Sequence, residues 1–370
     1  MKNLIDEDEG NEITLLMQER NCLRKNAWEY DKSRVLLAKK MMKSKRRMTK
    51  NMKTDRAYTE EYVSLAGIDH YLLHYKSKPE DPVILFIHGG PGQSETFFAF
   101  IVEEYAARNY NIVYYDQRGA GKTWLKNRKS KPDTETLKSD LLEIVLYLKK
   151  AYGKNKIGLL GHSWGSVLGS MFALEHPEHT LFYIGCGQVI NIMENERTGY
   201  AILKDTIYKS GSKKDIRKLE KIGEYPTDYF DMKVYRKMGQ IRSLQGKYGL
   251  AQDFSKTVID LWRRSPVMGM KDLLPFVTGI TTNMQVMSEL MSFDLRKEGS
   301  SYQVPVYYVL GEKDCQTPIE ISMKYFEELE APEKKLYLIP NAGHAPMIDN
   351  VEAYRKAVGE IVGRYGRLSN

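Results

Sequence analysis

Short apolar runs and longer amphipathic stretches alternate along the chain from residue 58 onward. The runs are rich in branched and aromatic residues and end at turn residues, a pattern typical of buried β-strands. We predict strands within residues 62–77 (two strands around a turn at Gly67), 82–92, 111–123, 156–162, 181–187, 304–314 and 334–346.

The amphipathic stretches have apolar residues three and four positions apart, as helices do. Leu141, Ile144, Val145 and Leu148 are one example. Helices are predicted at Thr96–Arg108, at Leu137–Ala151, from Ser163 to Glu175, and at Val351–Tyr365. The alternation of strand and helix predicts an α/β fold with a mostly parallel sheet covered by helices on both faces.

The alternation stops between Val189 and Lys297, where helix-forming residues dominate and no clear strand pattern is visible. An insertion of helices between two parts of one sheet is the pattern of a cap domain. We therefore predict a core formed by residues 58–188 and 300–370, with a helical cap at residues 189–299.

Residues 1–57 are predicted to form a basic, helical N-terminal extension. Residues 11–66 contain neither glycine nor proline, which favours helix. Between Lys32 and Arg56, eleven Lys or Arg residues stand against the single acid Asp55. Two interpretations remain: a solvated helical arm or tail, or a basic amphipathic helix that contacts an anionic membrane or a protein through residues 32–56. Nucleic acid is not an expected partner, because no aromatic residues interleave with these charges.

Composition narrows the class of protein further. The 370 residues are 42% hydrophobic, and no apolar run approaches the roughly 18 residues that span a bilayer. The first residues, MKNLIDEDEGNE, have no apolar signal-peptide segment, and the three cysteines are far apart in the sequence. We expect a cytoplasmic protein that uses no metal and no cofactor.

The sequence Gly161-His162-Ser163-Trp164-Gly165 follows a predicted strand and precedes a predicted helix. A Gly-x-Ser-x-Gly motif in this position places serine on a sharp turn that exposes its hydroxyl above the sheet. Side chains two residues before and after the serine would collide there, which explains the glycines. Ser163 is the predicted nucleophile.

A serine hydroxyl needs a base, and the base needs a group that orients it. Asp314 and His344 each follow a predicted strand, so both are expected at the carboxyl edge of the sheet with Ser163. We predict His344 as general base and acid and Asp314 as its partner. Asp349 is a spare acid that we expect to cap the last helix. His70 and His74 are expected at the surface.

The oxyanion of an acyl-transfer transition state needs two backbone donors. One is predicted to be the N–H of Trp164, the residue after the nucleophile. The other is assigned to Gly90 in the loop HGGPG (88–92), where glycine lets the backbone approach a substrate. His88 is expected to brace this loop.

Together, HGGPG (88–92), DQRGAG (116–121), GHSWGS (161–166), GEKD (311–314) and GH (343–344) resemble the proline iminopeptidase branch of the α/β-hydrolase superfamily. The resemblance covers about residues 58–190 and 300–368. It implies an α/β-hydrolase fold with an inserted helical cap, the same three site residues, and a loop at residues 116–118 that buttresses the site.

Two features depart from that family pattern. His162 stands where the peptidases often have glycine, and no motif identifies the cap glutamates that bind a substrate's amino terminus in these enzymes. Glu194 and Glu196 are candidates near the cap entrance, with a solvated helix face as the alternative.

The sequence thus predicts a serine hydrolase that acts on a small peptide, amide or ester. An aminopeptidase of the proline iminopeptidase type is favoured, and a carboxylesterase or other acyl hydrolase is the alternative. A non-catalytic binding protein on the same fold is the third option. It is disfavoured because every member of the triad is present.

Overall fold

A single eight-stranded sheet organises the part of the chain that the computed structural model describes, which is residues 57–105, 107–227, 229–251 and 257–366. The predicted N-terminal extension (1–57) therefore lies outside the described residues, apart from residue 57. The strands are β1 Thr59–Leu65, β2 Ile68–Tyr75, β3 Val83–Ile87, β4 Asn111–Tyr115, β5 Ile157–His162, β6 Thr180–Cys186, β7 Val306–Gly311 and β8 Lys334–Ile339.

The strands lie in the order β1-β2-β4-β3-β5-β6-β7-β8. β2 pairs antiparallel with β1 and with β4, and the neighbours from β4 to β8 pair in parallel. The hairpin between β1 and β2 turns at Gly67, as the sequence predicts. Because β3 to β8 are parallel, their carboxyl ends share one edge of the sheet.

Helices surround this sheet and fill the segment between β6 and β7. They are α1 Ala99–Glu103, α2 Gly121–Lys126, α3 Thr134–Tyr152, α4 Trp164–Glu175, α5 Ile192–Ser210, α6 Lys213–Ile222, α7 Met232–Lys247, α8 Thr257–Arg264, α9 Leu273–Thr282, α10 Met284–Leu290, α11 Leu295–Glu298, α12 Ile319–Glu328, α13 Pro346–Asp349 and α14 Val351–Val362. A 3-10 helix at Thr96–Phe98 precedes α1.

Local sequence explains the bounds of α3, the clearest amphipathic helix. The Asp133 side chain accepts a hydrogen bond from the N–H of Thr136 and caps the amino end. Gly153 ends the helix with φ 62°, a left-handed conformation that glycine adopts without strain. The apolar face that the sequence predicts is buried against the sheet.

The centre of the sheet is buried on both faces. Every residue of β3 and of β5 is buried, and so is nearly all of α4, which packs on β5 and β6. Strands covered on both faces are nearly continuously apolar, as β3 is throughout and β5 is up to His162. The elbow at Ser163 is therefore held between two elements that have little freedom to move.

The segment from residue 192 to 298 is the helical insertion, and it contains α5–α11. No strand occurs among its described residues. Part of it has an apolar cluster of its own, formed by Leu203, Ile207, Leu219, Ile222, Tyr225, Val234, Ile241 and Leu244.

Two predictions about the core are wrong. The helix predicted at Thr96–Arg108 ends at Glu103, whose side chain turns into the core and accepts a hydrogen bond from the Tyr114 hydroxyl at 2.7 Å. His70 and His74, predicted at the surface, are buried because β2 lies between β1 and β4.

Within the described residues, no helix has both the length and the apolar character needed to cross a bilayer.

Candidate active site

Ser163 lies on a strained turn between β5 and α4. Its φ is 52° and its ψ is −120°, a conformation that costs a non-glycine residue about 1–3 kcal/mol. A Cβ atom at Gly161 would lie 2.4 Å from the Gly165 carbonyl oxygen, and one at Gly165 would lie 1.9 Å from the Ile87 oxygen. Both glycines are thus required by close backbone contacts.

The structure brings Ser163, His344 and Asp314 together at the carboxyl edge of the sheet. Ser163 Oγ lies 2.9 Å from His344 Nε2, and His344 Nδ1 lies 2.9 Å from Asp314 Oδ2. A carboxylate can only accept, so Nδ1 carries the proton that it donates to Asp314. In the neutral ring, Nε2 is then the atom that accepts from the Ser163 hydroxyl.

Asp314 is held by Thr317 as well as by His344. The hydroxyl of Thr317 donates to Asp314 Oδ2 at 2.7 Å, and the N–H groups of Gln316 and Thr317 donate to Oδ1 at 2.8 and 3.0 Å. Burial alone would raise the pKa of Asp314, but the His344 ring and the Thr317 hydrogen bonds outweigh burial and lower it. Asp314 is therefore a carboxylate at neutral pH.

The two residues predicted to supply the oxyanion donors both belong to segments next to Ser163. Trp164 is the first residue of α4, and the loop of Gly90 passes close to Ser163, since a Cβ atom at Gly89 would lie 3.2 Å from Ser163 Cβ. In the described part of the chain, no hydrogen bond uses the N–H of Gly90 or of Trp164. The N–H of Gly89, by contrast, donates to Glu95 Oε2 at 3.0 Å.

His88 and Gln117 link the loop of residues 88–92, called the oxyanion loop after its predicted role, to the elbow helix α4. The N–H of Gln117 donates to His88 Nε2 at 3.0 Å, and the Gln117 amide donates to the His88 carbonyl at 2.7 Å. The Trp164 indole donates to Gln117 Oε1 at 2.9 Å. Since Nε2 accepts, His88 Nδ1 donates to the Gly89 carbonyl at 2.8 Å, and burial lowers the pKa of this neutral ring.

His162, the residue that departs from the peptidase pattern, is buried behind the nucleophile. Its Nδ1 lies 2.7 Å from Glu95 Oε1, and its Nε2 lies 2.9 Å from the carbonyl oxygen of His344. Burial alone would lower the pKa of His162, but the charge and hydrogen bond of Glu95 outweigh burial and raise it. The same pairing lowers the pKa of Glu95 against the opposite effect of burial.

Glu194 and Glu196 both lie on α5 and both are paired with arginine. Glu194 forms an ion pair with Arg296 near the surface. Glu196 is buried, pairs with Arg242, and accepts a hydrogen bond from the Tyr225 hydroxyl.

The network of Glu196 extends to the loop that carries Asp314. Arg242 Nη1 donates to Gln245 Oε1 at 2.8 Å, and the Gln245 amide contacts the Cys315 carbonyl at 3.3 Å.

Sequence reasoning missed two residues of the site, Glu95 and Thr317. Thr317 has a local signal, because a side chain three residues after an aspartate often bonds to it in a turn before a helix. For Glu95, the only signal in the sequence is its position three residues after HGGPG.

The prediction that Asp349 caps the last helix is wrong. Asn350 caps α14, and Asp349 accepts a hydrogen bond from the N–H of Gly343 at 2.9 Å. The described residues contain no group of three or more His, Cys, Asp or Glu that could hold a metal ion.

Comparisons with known proteins agree with this architecture. A profile of the α/β-hydrolase fold matches residues 82–197. The Bacillus subtilis protein named "Probable aminopeptidase YbaC" is 26% identical over 79% of this chain and 89% of its own length. The proline iminopeptidase of Clostridium botulinum is 26% identical over 76% of this chain and 90% of its own.

A solved structure shares the fold. The proline iminopeptidase-related protein of Thermus thermophilus has a TM-score of 0.56 at 18% identity, covering 83% of this chain and 98% of that one. The sheet, the profile and the solved structure show the α/β-hydrolase fold, and the relatives make this chain an enzyme that is similar to the proline iminopeptidases.

Proposed function

We propose that this enzyme is a serine hydrolase that works through Ser163, His344, Asp314 and an acyl-enzyme intermediate. The observation that carries the proposal is the continuous chain of hydrogen-bond distances, 2.9 Å from Ser163 Oγ to His344 Nε2 and 2.9 Å from His344 Nδ1 to Asp314. A nucleophile, a base and an oriented carboxylate in this arrangement are the requirements for nucleophilic acyl transfer.

In the acylation step, Ser163 Oγ attacks the substrate carbonyl carbon while His344 Nε2 takes the hydroxyl proton. The ring is then an imidazolium, which the ionised Asp314 stabilises. When the tetrahedral intermediate collapses, Nε2 gives this proton to the leaving amine or alcohol. Water, deprotonated by the same ring, then attacks the acyl-serine, and Nε2 returns the proton to Ser163 Oγ as the acid is released.

The charge that develops on the carbonyl oxygen needs donors that are already in place. The N–H groups of Gly90 and Trp164 are proposed for this role, because neither has another partner among the described residues. One such donor contributes about 3–4 kcal/mol to transition-state stabilisation.

The helical insertion is proposed to act as the cap over this site (residues 189–299). Two tight contacts support that role. A Cβ atom at Gly199 of α5 would lie 2.3 Å from the Cys315 oxygen, beside Asp314. One at Gly279 of α9 would lie 1.8 Å from the Gly92 oxygen, in the oxyanion loop. The insertion thus touches both loops that carry site residues.

For the substrate, we favour an aminopeptidase of the proline iminopeptidase type. The support is the set of relatives with aminopeptidase or proline iminopeptidase names, whose similarity to this chain includes the insertion. Glu194 and Glu196 stay in the proposal as the carboxylates that could face the substrate's amino group. We also propose a cytoplasmic location, and a peripheral contact with a membrane or a protein through residues 32–56.

A carboxylesterase or other acyl hydrolase is the second candidate, and one observation favours it. Glu194 and Glu196 are each neutralised by an arginine, so neither offers an unpaired carboxylate to an ammonium group. A site without such a carboxylate selects less strongly for a free amino terminus.

A substrate panel separates the two candidates. Prolyl and alanyl 2-naphthylamides, their N-acetylated forms and p-nitrophenyl esters are assayed with the wild-type enzyme and with Ser163→Ala. The aminopeptidase proposal expects turnover of the free aminoacyl amides and none of the acetylated ones. Equal turnover of both, or turnover of the esters alone, would favour the acyl hydrolase instead. Ser163→Ala should be inactive on every member of the panel.

Glu196→Gln tests the amine contact directly. If Glu196 faces the substrate's amino group, the variant should raise KM for alanyl naphthylamide and leave KM for a p-nitrophenyl ester unchanged. Glu194→Gln, on the same helix, tests the other candidate carboxylate by the same comparison of KM values. A change of equal size for both substrates would assign Glu196 to the packing of the insertion.

A further inference from the structure

Both ring nitrogens of His162 face atoms that accept hydrogen bonds. Nε2 faces the carbonyl oxygen of His344 at 2.9 Å, and a carbonyl oxygen can only accept, so Nε2 carries a proton. Nδ1 faces Glu95 Oε1 at 2.7 Å. Satisfying both contacts takes a second proton, which His162 and Glu95 hold between them.

The second carboxylate oxygen of Glu95 also has a hydrogen-bond partner. Oε2 accepts the N–H of Gly89, so one carboxylate contacts both the oxyanion loop and His162. The resulting chain of hydrogen bonds runs from Gly89 through Glu95 and His162 to the backbone of His344. It joins the loop that offers the Gly90 N–H to the loop that carries the base, and it passes directly behind Ser163.

The charges around His162 come from several elements. The two rings of His162 and His344 are 5.1 Å apart between centroids. The titratable groups that face His162 or interact with its charge are Glu95, His88, Asp314, His344 and Asp349. Three of the five are acids, which favours a proton on the ring and agrees with the raised pKa of His162.

We infer that Glu95 and His162 form a positioning pair that shares one proton and fixes the positions of the His344 loop and the oxyanion loop relative to Ser163. This inference rests on the proposed function, because it assigns the pair to the reaction of Ser163. Neither residue touches the substrate in this scheme. Both act through the backbone of Gly89 and of His344.

Loss of the shared proton at alkaline pH should weaken the contact between His162 Nδ1 and Glu95 Oε1. The Nδ1 lone pair of a neutral His162 would then face the Glu95 carboxylate, and that repulsion would separate the two loops. Because the pKa of His162 is raised above its usual value, the pair should lose this proton only as the pH rises through that raised value. The expected effect is on the reaction rate rather than on substrate binding.

The test measures the rate at which a fluorophosphonate modifies Ser163 between about pH 6 and pH 10. This reagent has no ionisable group and needs the nucleophile, the base and the oxyanion donors, but no particular substrate specificity. His162→Ala and Glu95→Ala should slow modification about 100-fold, the effect expected of a 1 Å displacement of reacting groups. The wild-type rate should fall at alkaline pH.

Glu95→Gln is the conservative variant. Its amide can donate to a neutral His162 Nδ1 while its oxygen accepts from Gly89, so every contact persists without a shared proton. The rate should stay within about tenfold of wild type, and the alkaline fall should disappear. The matched control is Glu61→Gln, at the pair of His74 Nε2 and Glu61 Oε1, which are 2.9 Å apart on β2 and β1. It should change neither the rate nor its pH dependence.

An NMR measurement keeps this inference separate from the proposed function. In Ser163→Ala labelled with ¹⁵N-histidine, His162 should show two protonated ring nitrogens at pH 7.5, and its signals are assigned by their absence in His162→Gln. Failure of the wild type to react with the fluorophosphonate would refute the proposed function alone. A neutral His162 ring, or an alkaline fall that persists in Glu95→Gln, would overturn the shared-proton pair.

Discussion

The closest backbone contact at the elbow gives a quantitative prediction, for Gly165→Ala. A Cβ atom at this position would lie 1.9 Å from the Ile87 oxygen and 2.8 Å from the His88 oxygen. Ordinary van der Waals contact begins at 3.4 Å, so the two backbones must separate by about 1.5 Å (3.4 − 1.9). The obstructing atoms are backbone atoms of a buried strand and its loop, which cannot rotate away as a side chain could.

Two consequences follow from that displacement. Forcing a methyl group into a packed core costs about 1–3 kcal/mol, and we expect the upper end here because α4 and β3 are both buried. The moved segment also leads into HGGPG, so the oxyanion donor shifts relative to Ser163. A misplacement of about 1 Å reduces the rate about 100-fold.

Thermal unfolding and the rate of reaction with a fluorophosphonate test this prediction. Gly359→Ala in α14 is the matched control, since its Cβ atom would meet nothing within 4 Å. The control should gain about 0.5–1 kcal/mol from helix propensity and keep its reactivity. A Gly165→Ala protein as stable and as reactive as wild type would show that the elbow does not require glycine at this position.

Three further predictions concern the site and the core. Asp314→Asn should lower kcat about 10⁴-fold in steady-state assays, because an amide favours the wrong tautomer of His344; a loss below tenfold would contradict the role of Asp314. Thr317→Val should reduce kcat about 10- to 100-fold, since Asp314 Oδ2 loses the Thr317 hydroxyl while the two N–H donors to Oδ1 remain; an unchanged pH–rate profile with full activity would argue against it. Burial raises the pKa of Glu103 from its usual 4.5 to about 7, so the unfolded chain loses this proton first and the free energy of unfolding should fall by about 3 kcal/mol as the pH rises from 4.5 to 7. Urea denaturation should show that the free energy of unfolding of Glu103→Gln depends less on pH over this range than that of the wild type. An equal pH dependence in the two proteins would contradict the raised pKa of Glu103.

Sequence patterns predicted the parts of the site that follow from local geometry. Ser163 is recognisable from its two glycines, and Asp314 and His344 from their positions after predicted strands. Parallel strands bring such positions to one edge whatever the details of packing, so these residues could be grouped without a structure.

The remaining parts depend on contacts between distant segments. Glu95 meets His162 only because the oxyanion loop folds back over β5, and Glu196 meets Arg242 only because α5 packs beside α7. Glu103 ended a predicted helix by turning into the core, where tertiary contacts outweighed helix propensity. No spacing in the sequence encodes these pairs.

Peptide mapping after reaction with a fluorophosphonate is the most direct test of Ser163 as the nucleophile. We expect a single adduct, on Ser163, whose formation Asp314→Asn slows and Ser163→Ala abolishes. An adduct on another residue, or undiminished labelling of Ser163→Ala, would contradict it.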